Sequence, residues 1–159
     1  MRLPIRAAGI TLKENQVLLL WRNNHGREYC VFPGGGVEEG ETKEEAVVRE
    51  LMEETSITIQ VKKLLYELTY LKNNQYHSQQ CFYLCLFVSG KPRLGDFNEK
   101  KTMNGGKNLY KPMWVPTDGI LKQRIYPTEI KQWLAQDIPN NFINTPRLET
   151  LHLENLRND

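Results

Sequence analysis

The sequence predicts an α/β protein in which a mixed β-sheet lies between helical layers. Apolar or alternating stretches indicate six strands, at residues 5–12, 16–22, 29–32, 57–71, 77–88 and 110–116. Helical periodicity indicates one helix between residues 42 and 55 and a second over residues 127–136. Because strands precede and follow both helices, we expect one sheet with helices packed against it.

Length and composition are those of a single ordinary domain. The chain has 159 residues, 40% of them hydrophobic and 25% charged, which is a globular composition. We therefore expect one domain over residues 1–159, with a weakly patterned tail from about residue 139. The formal net charge of +2 is too small to favour nucleic-acid binding.

Neither a membrane span nor a disulfide framework is expected. No stretch approaches the roughly 18 consecutive apolar residues of a spanning helix, and the first residues lead into a strand pattern rather than a signal peptide. Cys30, Cys81 and Cys85 lack zinc-type spacing, and we expect buried free thiols. These features favour a reducing cytoplasm.

The first predicted helix carries the most informative pattern. Glu50, Glu53 and Glu54 are spaced at i, i+3 and i+4, which places three carboxylates on one face of a helix. Like charges at this spacing destabilise a helix, so a hard cation such as Mg²⁺ that takes oxygen ligands is the expected recipient. Thr42 and Glu45 form a capping-box pattern at the start of this helix. On the opposite side we expect a core-facing stripe, consisting of Glu44, Val47, Val48 and Leu51.

A run of glycines precedes the helix, at residues 34–36 after Pro33. Three consecutive glycines allow positive φ and a close approach of the backbone to a ligand. We expect a loop here, neither strand interior nor helix, whose backbone N–H groups are available to a ligand or to the helix.

These residues together resemble the Nudix box. That motif reads Gly, five residues, Glu, seven residues, then Arg-Glu-apolar-any-Glu-Glu-any-Gly-apolar. The matching positions are Gly35, Glu41, Arg49, Glu50, Leu51, Glu53, Glu54 and Ile57. The departure is Ser56, which stands where the family has Gly. That Gly ends the helix with positive φ, a conformation that Ser tolerates less well.

The resemblance implies an α/β/α sandwich and a metal-dependent hydrolase. Family members break a phosphoanhydride bond in a nucleoside diphosphate linked to another moiety. Glu50, Glu53 and Glu54 would hold Mg²⁺ or Mn²⁺, while Arg49 and Glu41 would form a structural pair that orients the helix. Gly35 would support the site, and Gly34 and Gly36 would shape the loop around the substrate.

The general base and the base-binding residues are less well specified. In this family the general base often comes from outside the box. The candidates are Glu53 or Glu54 within it and Glu99 in the long polar stretch over residues 89–108. Phe97 and Tyr110 are candidates for stacking on a nucleobase, although ordinary packing explains them equally well.

Substrate choice rests mainly on what is absent. ADP-ribose hydrolases of this family often carry a Pro about fifteen residues beyond the box, and none occurs between Pro33 and Pro92. Tyr76 lies near the Tyr of dinucleoside polyphosphate hydrolases but is displaced. We therefore favour a nucleoside triphosphate, including oxidised ones such as 8-oxo-dGTP. A catalytically silent nucleotide sensor and a homodimer or interaction module built on leucines of the C-terminal tail remain open.

Overall fold

The computed structural model describes residues 4–93 and 108–156. Within these ranges the chain forms nine strands and two α-helices. The strands are β1 Ile5–Lys13, β2 Gln16–Asn24, β3 Arg27–Val31, β4 Gly34–Gly36, β5 Thr58–Lys72, β6 Gln75–Ser89, β7 Asn108–Pro116, β8 Ile125–Tyr126 and β9 Arg147–His152. The helices are α1 Lys43–Thr55 and α2 Thr128–Asp137, and 3-10 helices span Thr117–Lys122 and Leu153–Asn155.

The strands form one mixed sheet, as the sequence predicts. Its order is β8-β3-β2-β1-β6-β5-β9, with β4 paired to β1 and β7 paired to β2. The pairs β1–β6, β3–β8 and β5–β9 are parallel, and the remaining pairs are antiparallel. The apolar strand β6 lies inside the sheet between β1 and β5.

Each face of the sheet packs against one helix. Successive side chains of a strand point to opposite faces, and on β1 Ala7 and Ala8 belong to two different core clusters. The cluster that includes Ala7 contains Val47 and Leu51 of α1, whereas that of Ala8 contains residues of α2 such as Leu134. The predicted arrangement of a sheet between helical layers is therefore confirmed.

The buried stripe of α1 differs from the predicted one. Val47 and Leu51 are buried as expected, but Glu44 is exposed and Val48 is 42% exposed. The buried surface instead continues through Ala46 towards Glu50 and Glu54. Two acidic side chains thus lie beside the core-facing stripe rather than opposite it, so they are held in fixed, desolvated positions.

The prediction that residues 34–36 form a loop is wrong. Gly34–Gly36 is a short strand paired with Arg6, Ala7 and Ala8 of β1. A Cβ on Gly34 would lie 2.4 Å from the carbonyl oxygen of Ala7, so glycine is required here for close packing rather than for an unusual backbone angle.

The C-terminal segment extends the sheet beyond α2. β9 pairs in parallel with β5, so the weakly patterned tail contains an edge strand. Its position is secured by Asp137, which is fully buried and accepts hydrogen bonds from Tyr66 and Arg147. The cysteines are free and buried, as expected. Across residues 4–93 and 108–156, no helix has the length and apolar character needed to cross a membrane.

Candidate active site

The helix α1 begins and ends at residues that hold it in place. Thr42 is the N-cap, and its Oγ1 accepts a hydrogen bond from the backbone N–H of Glu45 at 3.0 Å. At the other end Ser56 adopts a left-handed conformation with φ 62°, which is the backbone that the family's Gly would favour. The Ser56 hydroxyl donates a hydrogen bond to the carbonyl of Arg93 at 3.0 Å, which offsets part of that strain.

Arg49 is the centre of the polar network on α1. Its guanidinium binds Glu41 with two parallel hydrogen bonds, 2.7 Å from Nε to Oε2 and 3.0 Å from Nη2 to Oε1. Its Nη1 also donates to Glu50 at 2.8 Å and to Glu53 at 3.3 Å. Hydrogen bonding to Glu41, above all, raises the pKa of Arg49 against the opposing effect of burial. Arg49 therefore stays charged and joins the helix to the segment that precedes it.

The glycine strand packs directly against two of the carboxylates. The N–H of Gly34 donates to Oε1 of Glu54 at 3.3 Å, so this amide is engaged by the helix. A Cβ on Gly35 would come within 2.4 Å of Oε1 of Glu50. Glu50 is 9% exposed and Glu54 is 5% exposed, whereas Glu53 lies at the rim of the cluster. The absence of a side chain at Gly35 thus creates the space that Glu50 occupies.

The donor set has the right chemistry for a hard divalent cation. Glu50, Glu53 and Glu54 offer only carboxylate oxygens, the ligands that Mg²⁺ and Mn²⁺ take. In the part of the chain that the structure describes, no three acidic, histidine or cysteine side chains converge closely enough to hold a metal ion as they stand. Arg49 contacts Glu50 and Glu53 instead. By the chemistry of their donor atoms, the three carboxylates fit a divalent metal ion.

Arg22 is a candidate binding residue that the sequence reasoning missed. It lies opposite Tyr110 in the β2–β7 ladder, and its Nη2 donates to the Tyr110 hydroxyl at 2.5 Å. The guanidinium also lies over the Tyr110 ring at 4.4 Å and over the Tyr29 ring at 5.5 Å. Its buried Nε has no hydrogen-bond partner among the described residues. A lone Arg at a strand end carries no recognisable motif, so only the fold shows this pairing.

The remaining predicted site residues divide into two groups. Tyr110 is half-buried against Arg22, which leaves its role in base stacking a prediction. Phe97 and Glu99 lie outside the described residues, so their predicted roles stay predictions as well.

Known proteins resemble this chain in sequence and in structure. The family model of the NUDIX domain matches residues 3–135. An ADP-ribose pyrophosphatase of Methanocaldococcus jannaschii is 53% identical over 58 residues, which are 36% of this chain and 34% of that protein. An 8-oxo-dGTP diphosphatase of Escherichia coli is 45% identical over 67 residues, 40% of this chain and 52% of that protein.

An RNA pyrophosphohydrolase of Psychromonas ingrahamii is 42% identical over 57 residues, 36% of this chain and 32% of that protein. The matches thus span about a third to a half of the length of these relatives. Among solved structures, a NUDIX hydrolase from Nitrosomonas europaea superposes with a TM-score of 0.68 at 17% identity, over 96% of this chain and 80% of that one. The match of the family model over most of the chain, together with this fold, shows that the protein belongs to the NUDIX domain family.

Proposed function

We propose that the protein is a pyrophosphohydrolase that breaks a phosphoanhydride bond in a nucleoside diphosphate linked to another moiety. The observation that carries this proposal is the acidic cluster of α1, where Glu50, Glu53 and Glu54 gather beside the glycine strand. The three relatives described above are named for diphosphatase or pyrophosphohydrolase activities, which supports the same reaction class.

The cofactor that we propose is Mg²⁺ or Mn²⁺, held by Glu50, Glu53 and Glu54. When bound, such an ion neutralises charge on the diphosphate and lowers the pKa of a coordinated water. The chain itself contributes the fixed positions of the carboxylates, since Glu50 and Glu54 are buried against Gly35 and Gly34. Arg49 and Glu41 keep the helix in register with the preceding segment.

Proton transfer is assigned to a carboxylate at the rim of this cluster. Glu53 is more exposed than Glu50 and Glu54, so it is the box residue that a water molecule reaches most directly. Glu54 accepts a hydrogen bond from the backbone N–H of Gly34, and it is the second candidate within the box for this role. Glu99 remains the candidate from outside the box.

The substrate that we propose is a nucleoside triphosphate, canonical or oxidised, cleaved to a monophosphate and pyrophosphate. Relatives named for ADP-ribose, RNA and 8-oxo-dGTP match similar shares of this chain, 36 to 40%, so these matches do not discriminate among the three substrates. Arg22 and Tyr110 support nucleotide binding in general, because a guanidinium and an aromatic ring suit phosphate and base. ADP-ribose and dinucleoside polyphosphates are the alternative substrates.

The other assignments follow from the same reading. We propose a single domain acting in the cytoplasm on a small nucleotide substrate, with neither membrane nor nucleic acid as a partner. A homodimer that uses the exposed leucines of the tail, such as Leu148 and Leu156, is the alternative assembly. Light scattering on the full chain and on the variants Leu148→Ser and Leu156→Ser tests it: a monomeric wild type counts against the dimer, and a dimer that either variant converts to a monomer supports it.

A substrate panel with and without Mg²⁺ tests the reaction. Canonical and oxidised nucleoside triphosphates, ADP-ribose, diadenosine polyphosphates and capped RNA are compared by chromatography of their nucleotide products, and pyrophosphate release is measured in addition for the triphosphates. We expect Glu53→Gln and Glu54→Gln to lower turnover by about 10²-fold or more, because a lost ligand removes several kcal/mol of charge stabilisation. Glu149→Gln, on the exposed side of β9, is the control.

Two results would contradict the proposal. Turnover like that of the wild type in both Glu53→Gln and Glu54→Gln would show that Glu53 and Glu54 are not the metal ligands. Nucleotide binding without hydrolysis of any substrate on the panel would favour the catalytically silent sensor, which the presence of all three carboxylates argues against.

A further inference from the structure

A second arginine lies behind the acidic cluster, on the strand that pairs with the glycine strand. Arg6 of β1 is partly buried and stands opposite Gly36 in the β1–β4 ladder. Its Nη2 donates to the carbonyl of Phe32 at 2.9 Å and to that of Gly34 at 3.5 Å, and its Nη1 donates to Oε1 of Gln80 at 3.5 Å. These hydrogen bonds join a positive charge to neutral acceptors, so they leave its charge available to compensate carboxylates nearby.

The carboxylates that the charge of Arg6 can compensate belong to α1. Gly34 accepts a hydrogen bond from Arg6 through its carbonyl and donates one to Glu54 through its amide. One residue of backbone therefore separates the guanidinium from a buried carboxylate. Burial lowers the pKa of Arg6, and the charges of Glu54 and then Glu50 act in the opposite direction. The charge of Arg22 adds to the lowering of the Arg6 pKa.

We propose that Arg6 is a positioning residue that serves as the permanent counter-cation of Glu54 and Glu50. Arg49 binds Glu50 and Glu53 at the outer side of the cluster, while Arg6 acts on Glu54 from the side of the sheet. Two buried carboxylates that lacked such a charge would be costly in the metal-free protein. Arg6 therefore offsets the cost of burying Glu54 and Glu50 before any metal is bound, and its positive charge weakens the binding of a metal ion.

This inference rests on the proposed metal site and is tested by metal binding rather than by turnover. Arg6→Met removes the charge but keeps the length of the side chain, and Arg6→Lys keeps the charge but loses the fork. Arg147→Met is the matched control, since it removes a second arginine from a buried carboxylate in another part of the fold. Thermal melting with MgCl₂ or MnCl₂ alone and a Mn²⁺ titration by calorimetry are the measurements.

Without metal, we expect Arg6→Met to melt at a lower temperature than the wild type. Adding metal should raise the melting temperature of Arg6→Met by more than it raises that of the wild type. Its Kd for Mn²⁺ should fall about fivefold or more, because a unit charge near a divalent ion is worth roughly 1 kcal/mol or more even in water. Arg6→Lys should bind Mn²⁺ like the wild type. Arg147→Met should lower the melting temperature and leave the Mn²⁺ Kd unchanged.

The outcomes separate this inference from the metal proposal itself. If the wild type responds to metal, Glu54→Gln loses that response and Arg6→Met binds Mn²⁺ no more tightly than the wild type, the counter-cation role is overturned while the metal site stands. Arg6→Lys binding as tightly as Arg6→Met would also overturn it, because charge would then not be the cause. A wild type without any metal response overturns both proposals. Should Arg6→Met fail to fold, Arg6→Gln, which keeps a donor for Phe32, replaces it.

Discussion

Two arginine–carboxylate clusters in this molecule differ in their balance of charge. Around Arg49, the carboxylates of Glu41, Glu50 and Glu53 lie within 3.3 Å and that of Glu38 within 3.8 Å. Around Asp137, one carboxylate meets one guanidinium, from Arg147, and one hydroxyl, from Tyr66. The second cluster is satisfied by its own members, whereas the first carries negative charge beyond what Arg49 neutralises. A surplus of one sign in a partly buried place is what a cation-binding site needs.

Removing the charge of the balanced cluster should reduce stability and leave the site intact. Asp137→Ala leaves Arg147 and the Tyr66 hydroxyl without their buried partner and frees β9 from the end of α2. We expect a loss of about 3 kcal/mol in the free energy of unfolding, the lower end of the range for a broken buried pair. Urea denaturation measures this, and turnover per folded molecule should not change.

Removing the cation of the unbalanced cluster should reduce stability by an amount that depends on metal. Arg49→Met removes the cation from between Glu41, Glu50 and Glu53, so the metal-free protein should lose about 2 to 3 kcal/mol. Saturating Mg²⁺ should restore part of that loss, since the ion replaces the missing positive charge. Urea denaturation with and without Mg²⁺ gives the comparison. An identical Mg²⁺ effect in Arg49→Met, Asp137→Ala and the wild type would show that the two clusters do not differ as described.

The glycine strand allows a steric test of the unbalanced cluster. Gly35→Ala would bring a methyl group within 2.4 Å of the Glu50 carboxylate and displace it. We expect turnover to fall about thirtyfold, equivalent to roughly 2 kcal/mol of transition-state stabilisation, with a weaker Mg²⁺ response. Gly119→Ala, where a Cβ meets nothing within 4 Å, is the control for the substitution itself. Equal turnover in Gly35→Ala and Gly119→Ala would show that the space at Gly35 is not needed for activity.

Acid should weaken the balanced cluster in a defined range of pH. Burial alone would raise the pKa of Asp137, but hydrogen bonds from Arg147 and then Tyr66 lower it below its ordinary value. A lowered pKa stabilises the fold above the unfolded value of about 3.9, and this contribution disappears as pH falls through the folded value. The difference in unfolding free energy between the wild type and Asp137→Asn should therefore be constant above about pH 5 and shrink below about pH 4. A difference that grows on acidification would show that folding raises the pKa of Asp137 rather than lowering it.

The motif and the fold class were accessible from the sequence because both depend on local spacing. Glu50, Glu53 and Glu54 follow one another on a single helix, so their common location is set by helical geometry alone. The glycine strand was not accessible, because its conformation depends on the neighbouring backbone of β1. The contacts of Arg6 and Arg22 could not be predicted for a similar reason, since each arginine donates hydrogen bonds to residues outside its own strand. Long-range pairing, which no spacing rule describes, accounts for these three cases.

The helices that carry the two clusters also end differently, and this gives the smallest expected effect. α2 continues into Ile138 in an ordinary right-handed conformation, whereas α1 ends at Ser56 with φ 62°. Ser56→Gly relieves the left-handed strain but loses the hydrogen bond to Arg93, so we expect a net gain of about 0.5 kcal/mol in the free energy of unfolding. Ser56→Ala keeps the strain and loses the bond, so it should be less stable than the wild type. If urea denaturation places Ser56→Gly below Ser56→Ala, backbone strain at this end of α1 is negligible and the hydroxyl alone explains the serine.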